Sequence, residues 1–178
     1  MIYIITFLIT LFLLPFFLLI LFFLIVVHGG NPFFFSKRIG KNNKIFLMPK
    51  FKTLIDIAPI KSTESFINIK LFYIIGGFFI KKCGLDEIPQ LFLVLLGKMN
   101  LIGPRPILPS QKLIKKFRTK HNICKLKPGI IGYAQIFSIS NSIHEKNRLD
   151  KFYLENKSFI LDIKIILFSI ILIIKRIF

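Results

Sequence analysis

The chain has 178 residues, with 26 Lys or Arg against only 8 Asp or Glu, and its formal net charge at pH 7 is +18. This length predicts one domain. Hydrophobic residues make up 54% of the chain, and together with the positive charge this predicts association with a membrane through a basic face. Its two cysteines, Cys83 and Cys124, lie in no CxxC pair and beside no His pair. This spacing argues against a disulfide framework and a zinc site, and it favours reduced packing residues in a cytosolic compartment.

The first 36 residues carry no charge, and residues 1–27 are almost entirely apolar. No basic region precedes this run and it is too long for a signal peptide, so it predicts a membrane helix long enough to cross a core of about 30 Å. Pro15 removes a backbone donor near its middle and clashes with the carbonyl of Leu11, and a kink there would let the helix re-enter its own side. Thr10 is expected to offer its hydroxyl to a freed backbone group. On the residues alone both topologies stay open, with spanning favoured.

Residues 32–54 predict a β-hairpin, with the turn at Gly40 to Asn43. Four basic residues follow the membrane helix closely, and such residues favour the cytoplasmic side. They are Lys37, Arg38, Lys41 and Lys44. The rest of the chain is therefore expected to face the cytoplasm.

The remaining pattern predicts mostly helices joined by loops. Loops are expected over residues 55–70 and, from the clustered turn residues, over 128–133. The tail, residues 158–178, has an uncharged stretch of only ten residues and predicts a helix that lies in the membrane interface. The other predicted helices cover residues 71–82, 88–96, 111–121 and 142–157.

Asp86 and Glu87 are two of the eight acids and are adjacent. Pro89 is acceptable only in a first helical turn, so the pair is expected at a helix start, where acids often serve only the helix dipole. Here Lys81 precedes the pair, and Arg105 follows in a Gly-Pro-Arg-Pro turn whose prolines fix the backbone. Carboxylates act as nucleophiles or magnesium ligands, and a guanidinium binds phosphate. The setting predicts a site for a metal-bound phosphate.

Two weaker signals lie further along the chain. The glycines of KPGIIGYAQ (127–135) would let backbone amides approach an anion. Asp150 and Tyr153 lie three apart on one helix face, and this spacing alone favours capping or pairing roles. The aromatic residues lie mostly in apolar runs and not among basic residues, so we predict no nucleic-acid partner.

Five segments carry a resemblance to a known family: KRIG (37–40), PKFKTL (49–54), GLDEIPQLFLVLLGKMNLIGPRP (84–106), LKPGIIGYAQI (126–136) and LDKFYLENKSFILDIKIIL (149–167). In this order they resemble the bacterial sugar transferases of the small monotopic phosphoglycosyl transferase type. They cover most of the chain from residue 32 onward, and the third and fourth are highly specific. The apolar run with its central proline also resembles the family's re-entrant helix, so the resemblance favours re-entry over spanning.

The resemblance implies a monotopic membrane protein that is mostly α with a short β-hairpin. Residues 1–30 would form a re-entrant, Pro-kinked helix anchor, and residues 31–178 the sugar transferase catalytic domain. Interfacial amphipathic helices would surround a cytosolic active site. The implied location is the bacterial inner membrane, with the catalytic domain facing the cytoplasm.

The resemblance also implies a reaction: a sugar-1-phosphate moves from a UDP-sugar to undecaprenyl phosphate, UMP is released, and the product begins a surface glycan. It implies Mg²⁺ as cofactor and a covalent phosphosugar intermediate on Asp86, which would be both nucleophile and metal ligand, with Glu87 as its partner. Other positions match family motifs that would bind substrate. These are Arg38, Lys52, Lys81, Arg105, Gln135, Asp150 and Tyr153.

The chain departs from the family's usual residues at Gly84 (serine), at Lys81 (arginine) and at Phe137-Ser138 (Asn-Gly). Lys98 and Phe78 also stand where an acid and a basic residue are common. These departures leave open a catalytically impaired membrane scaffold of a glycan-assembly complex. A basic, membrane-anchored nucleic-acid binder is a more remote alternative. Anionic membrane lipid is an expected partner, and the residues leave a homodimer open.

Overall fold

The protein is described from a computed structural model, which places residues 2–55, 69–140 and 142–177. Within these ranges the chain is mostly helical with a short antiparallel hairpin, as predicted. The helices are α1 (Ile2–His28), α2 (Gly77–Lys82), α3 (Gln90–Leu95), α4 (Lys112–Lys120), α5 (Tyr133–Phe137), α6 (Ile143–Asn156) and α7 (Phe159–Ile177). The strands are β1 (Phe33–Ile39), β2 (Ile45–Phe51), β3 (Asn100–Ile102) and β4 (Gly129–Ile131).

Helix α1 continues through Pro15, which lies on its exposed side. Its covered residues recur every three or four positions and so form one stripe, which packs on α3 and the core. The opposite face is apolar and exposed, as Phe12 and Phe22 show at 73% and 71% exposure. In the part of the chain that the structure describes, α1 is the helix long and apolar enough to cross a membrane, and this is consistent with membrane association. The hydroxyl of Thr10 donates to the backbone carbonyl of Thr6, one helical turn earlier, at 2.8 Å.

The hairpin pairs β1 with β2 from Phe33 opposite Phe51 to Ile39 opposite Ile45. Its turn places Asn42 and Asn43 at φ 54° and 60°, a left-handed conformation that asparagine tolerates. At the other end, the buried ring of Phe51 lies 5.1 Å from that of Phe17 on α1 and 5.6 Å from that of Phe33. Helix α1 therefore anchors the end of β2.

The segment between α2 and α3 differs from its prediction. Helix α2 begins only at Gly77, and most of the predicted loop 55–70 lies outside the described residues. Asp86 and Glu87 lie in a separate 3-10 turn, Leu85–Glu87, that precedes α3. Pro89 explains why the 3-10 turn is separate from α3, because Pro89 has no N–H to donate to the carbonyl of Leu85. The turn instead has hydrogen bonds between residues three apart, such as Glu87 N to Gly84 O at 3.2 Å.

The predicted loop 128–133 is wrong over residues 129–131, which form β4 parallel to β3. The backbone of Gly103 donates to Ile131 O at 3.0 Å, and that of Gly129 donates to Pro104 O at 3.0 Å. A Cβ on Gly129 would come 2.1 Å from Gly103 N, so only glycine allows this approach. The turn-forming residues predicted a loop, because the sequence does not show that this segment pairs with β3, which lies far away along the chain. The Gly-Pro-Arg-Pro turn leaves β3 and folds against β4.

The C-terminal helices follow their predictions closely. Helix α6 is capped by Ser142, whose hydroxyl accepts from Glu145 N at 3.1 Å. The buried hydroxyl of Tyr153 donates to Asp162 at 2.8 Å and ties α6 to α7. Helix α7 also packs on α5, where the rings of Phe137 and Phe168 lie 5.3 Å apart. These contacts place α6 and α7 beside the segment that follows β4.

Candidate active site

Four charged residues from three parts of the chain meet in one group, the charged cluster: Lys50, Asp86, Glu87 and Arg105. The Lys50 ammonium lies 2.5 Å from Glu87 Oε1 and 3.4 Å from Asp86 Oδ2. Arg105 Nη2 lies 3.3 Å from the same Glu87 oxygen. The Asp86 side chain is only 8% exposed, whereas that of Arg105 is 43% exposed. The charged cluster is therefore buried at Asp86 and open to solvent at Arg105.

Gly84 sets the backbone that presents the two carboxylates. It has φ 72° and precedes the 3-10 turn. A Cβ there would meet no atom within 4 Å, so the constraint is the left-handed backbone and not the space. A serine would be strained in this conformation. The departure from the family's usual residue therefore matches the local backbone of this chain.

The two adjacent acids have opposite pKa shifts. Burial raises the pKa of Asp86, the charge of Lys50 opposes that shift, the charge of Glu87 adds to it, and the net direction is upward. Burial alone would also raise the pKa of Glu87, but the charges and hydrogen bonds of Arg105 and Lys50 outweigh it and lower the pKa. Glu87 is therefore a fixed anion that holds two cations, while Asp86 is the more basic carboxylate.

Lys81 and Arg38 lie at the edge of the charged cluster. Burial lowers the pKa of Lys81, while the charge of Asp86 opposes the shift. Its ammonium lies 5.5 Å from the ring centre of Tyr73. Burial lowers the pKa of Arg38, the charge of Arg105 adds to this, and that of Glu87 opposes it. Both of these predicted substrate-binding cations thus interact electrostatically with the acidic pair.

The other predicted binding residues have more varied surroundings. Lys52 follows β2, and Gln135 is exposed on α5, where its Oε1 and the backbone of Arg105 both flank Gly132. Asp150 is 3% exposed and pairs with Arg118 at 2.6 Å, and Tyr153 is 1% exposed. The structure gives these last two residues internal partners, and their substrate contact stays a prediction.

The acidic pair fits the donor set that Mg²⁺ uses. In the described ranges no group of three or more His, Cys, Asp or Glu side chains could enclose a metal ion. Mg²⁺, however, is usually held by one or two carboxylates together with phosphate and water. The ion pairs of Asp86 and Glu87 engage Oδ2 and Oε1. The other two carboxylate oxygens, Asp86 Oδ1 and Glu87 Oε2, are hard donors of the kind that Mg²⁺ prefers, and a magnesium site here stays a prediction.

Sequence reasoning missed two cations, Lys50 and Arg118. Lys50 belongs to the PKFKTL segment, in which we singled out only Lys52. The side-chain alternation of β2 places Lys50 on the same strand face as the buried Met48, which was a usable signal. Arg118 had no such signal, because it is one of several cations on the basic helix α4.

The arrangement can bind and transform a phosphate ester. Cations on both sides of the acidic pair would neutralise a polyphosphate and allow a carboxylate to approach phosphorus. The pKa of Asp86 is raised, so its carboxylate, when ionised, would be the more basic and more nucleophilic of the two. Asp86 and Glu87 resemble pairs of carboxylates whose surroundings assign them different chemical tasks.

Comparisons with known proteins find relatives that are named as sugar transferases or sugar phosphotransferases. The chain is 37% identical over 145 residues to the uncharacterised sugar transferase EpsL of Bacillus subtilis, covering 79% of this chain and 69% of EpsL. It is 32% identical to the UDP-glucose:undecaprenyl-phosphate glucose-1-phosphate transferase of Xanthomonas campestris pv. campestris, covering 79% of this chain and 31% of that protein. It is 31% identical to the undecaprenyl-phosphate galactose phosphotransferase of Salmonella typhimurium, covering 83% and 34%.

The chain thus spans about a third of the length of the Xanthomonas and Salmonella relatives and two thirds of EpsL. The family model described as bacterial sugar transferase matches residues 2–176, which is nearly the whole chain. The match includes α1, the hairpin and every residue of the charged cluster. The chain therefore belongs to the bacterial sugar transferase family.

Proposed function

We propose that this protein transfers a sugar-1-phosphate from a UDP-sugar to undecaprenyl phosphate and releases UMP, through a covalent phosphosugar intermediate on Asp86. The observation that carries the proposal is the charged cluster, in which a buried carboxylate of raised pKa, Asp86, lies beside one of lowered pKa, Glu87, and two cations. The names of the Xanthomonas and Salmonella relatives support the donor and acceptor classes.

In the first step, a carboxylate oxygen of Asp86 attacks the phosphorus that carries the sugar. An Asp–phosphorus bond forms, the bond to the bridging diphosphate oxygen breaks, and UMP leaves with that oxygen and the electron pair. In the second step, a phosphate oxygen of the lipid acceptor attacks the same phosphorus and the bond to Asp86 breaks. The product is a lipid diphosphate sugar, and the carboxylate of Asp86 is restored.

The cations of this chain have separate tasks in those steps. Arg105 is the most exposed member of the charged cluster, so it meets the diphosphate first and stabilises charge on its oxygens. Lys50 favours the ionised form of Asp86 and holds its carboxylate in place, and Glu87 holds Lys50 and Arg105 together. Asp86 and Glu87 would hold Mg²⁺ together with the diphosphate, and the bound ion would neutralise charge on the leaving UMP.

The membrane location follows from the apolar surfaces. A helix that crosses the bilayer away from the domain would face lipid on all sides. One face of α1 is instead covered by the rest of the protein, from Thr6 to Val27, a length of about 32 Å at 1.5 Å per residue. This favours a re-entrant helix that stays against the catalytic domain. Exposed apolar residues of α7, with Lys175 and Arg176 at its end, suit an inner-membrane surface rich in anionic lipid.

The activity is tested by incubating the protein in nanodiscs with a panel of UDP-sugars and undecaprenyl phosphate, and measuring UMP. At least one donor should release UMP, and Asp86→Asn should lower the rate by about 10³-fold or more, because it removes the nucleophile. Glu155→Gln, at an exposed acid of α6, is the matched control and should retain full activity. Full activity of Asp86→Asn contradicts the mechanism, and tight UDP-sugar binding without any UMP supports the scaffold instead.

The pH dependence of kcat/KM tests the role of Lys50. Asp86 must be ionised to attack, so activity should fall as the pH drops through its pKa, which lies above the ordinary aspartate value of 3.8. Lys50→Met removes a charge that favours the ionised form, so the acidic limb should move to higher pH. Lys98→Met, at an exposed lysine outside the charged cluster, should leave the limb in place. An unmoved limb in Lys50→Met would refute this role.

Topology is tested with a short polar tag that carries one cysteine, placed before Met1 in a Cys83→Ala, Cys124→Ser background. A membrane-impermeant maleimide should react in inside-out vesicles and not in intact spheroplasts, because a re-entrant helix returns the N-terminus to the cytoplasm. Reaction in spheroplasts would show that α1 spans the membrane.

A further inference from the structure

Arg118 is unlike the other cations of α4. Lys112, Lys115, Lys116 and Lys120 are all exposed, whereas the Arg118 side chain is only 12% exposed. Its guanidinium contacts two acceptors from different parts of the chain. Nη2 donates to Asp150 Oδ2 on α6 at 2.6 Å, and Nη1 donates to the backbone carbonyl of Arg105 at 2.8 Å. A planar fork can hold two acceptors in fixed relative positions, which a lysine ammonium cannot do as rigidly.

The carbonyl of Arg105 is the third of the four carbonyls in the Gly-Pro-Arg-Pro turn. Hydrogen bonds hold the turn on either side: Pro104 O accepts from Gly129 N at 3.0 Å, and Ile107 O accepts from Ile39 N at 2.8 Å. Between these two hydrogen bonds along the chain, Arg118 binds the carbonyl of Arg105. It therefore fixes the plane of the peptide that follows Arg105, and with it the direction in which the Arg105 side chain leaves the backbone.

The Arg105 side chain needs such support. Its contact with Glu87 spans 3.3 Å and the side chain is 43% exposed, so this ion pair alone is a weak constraint on a long, flexible group. The Arg118–Asp150 pair is much more buried, with side chains 12% and 4% exposed. A rigid buried pair thus anchors the backbone from which an exposed, phosphate-facing arginine extends.

We infer that Arg118, held by Asp150, is a positioning residue that aims Arg105 at the diphosphate of the donor. The inference rests on the proposed function. Asp150 then acts through Arg118 and not on the substrate directly, because its carboxylate orients the guanidinium of Arg118. Burial raises the pKa of Asp150 while the charge of Arg118 opposes it, so the carboxylate depends on this arginine for its charge.

A double-mutant cycle between positions 105 and 118 tests the inference in nanodiscs. Arg118→Lys keeps a cation beside Asp150 but loses the fork, so kcat should fall by about 10- to 100-fold while KM changes little. In an Arg105→Ala background, Arg118→Lys should lower kcat further by less than about twofold, because Arg118 acts through Arg105. Ile123→Val, at a buried residue beside α4 and α6, is the stability control and should have the same small effect in both backgrounds.

Hydrogen exchange of the ligand-free protein provides a readout that needs no activity. Arg118→Lys should speed amide exchange in residues 103–108 at least about tenfold more than in α6, whereas Ile123→Val should not single out this turn. Equal loss of kcat in both backgrounds, or unchanged exchange in the turn, would overturn the inference. If the wild type releases no UMP from any donor, the proposed function fails, and the exchange result alone then decides whether Arg118 holds the turn.

Discussion

The ammonium of Lys50, placed between Asp86 and Glu87, is the contact on which the rest of the site depends. Two adjacent, largely buried carboxylates repel each other and lose hydration unless a cation compensates them. Removing one partner of such a buried group typically costs about 3–5 kcal/mol. Lys50 is positioned by Phe51, the next residue, whose ring packs against Phe17 of α1. Helix α1, the hairpin and the acidic pair are thus connected through packed side chains and ion pairs.

The local features of the fold could be predicted from sequence, and the distant pairings could not. The hairpin, the basic helix α4 and the tail helix follow from turn residues and apolar patterns that lie within a few positions of each other. Strand β4 was missed because its pairing with β3 depends on residues about 30 positions earlier. The partners of Lys50 lie 36 and 37 positions away, so the sequence did not show its ion pairs, although the alternation of β2 did mark its inward-facing position. The acidic pair and Arg105 were found because they are close in sequence and chemically unusual.

Three of the departures from the family pattern, Gly84, Phe137 and Lys81, have identifiable local surroundings. Gly84 has a left-handed backbone that disfavours serine. Phe137 packs against Tyr133 and Phe168 and so joins α5 to α7. Lys81 lacks the fork of an arginine, but the nearby Tyr73 ring and the charge of Asp86 act on its ammonium. These residues fit their surroundings, and none of them removes a charge from the charged cluster. They are therefore weak support for an inactive scaffold.

The central claim is that Asp86, poised by Lys50 and Glu87, becomes covalently attached to the sugar phosphate. The most direct measurement mixes the protein with an active UDP-sugar in the absence of lipid acceptor, stops the reaction in acid and determines the mass of the peptide that contains residue 86. The account predicts a burst of UMP that approaches one per protein, with a sugar phosphate added to Asp86 that disappears when undecaprenyl phosphate is supplied. UMP release that needs the acceptor, with no mass added to this peptide, would contradict it.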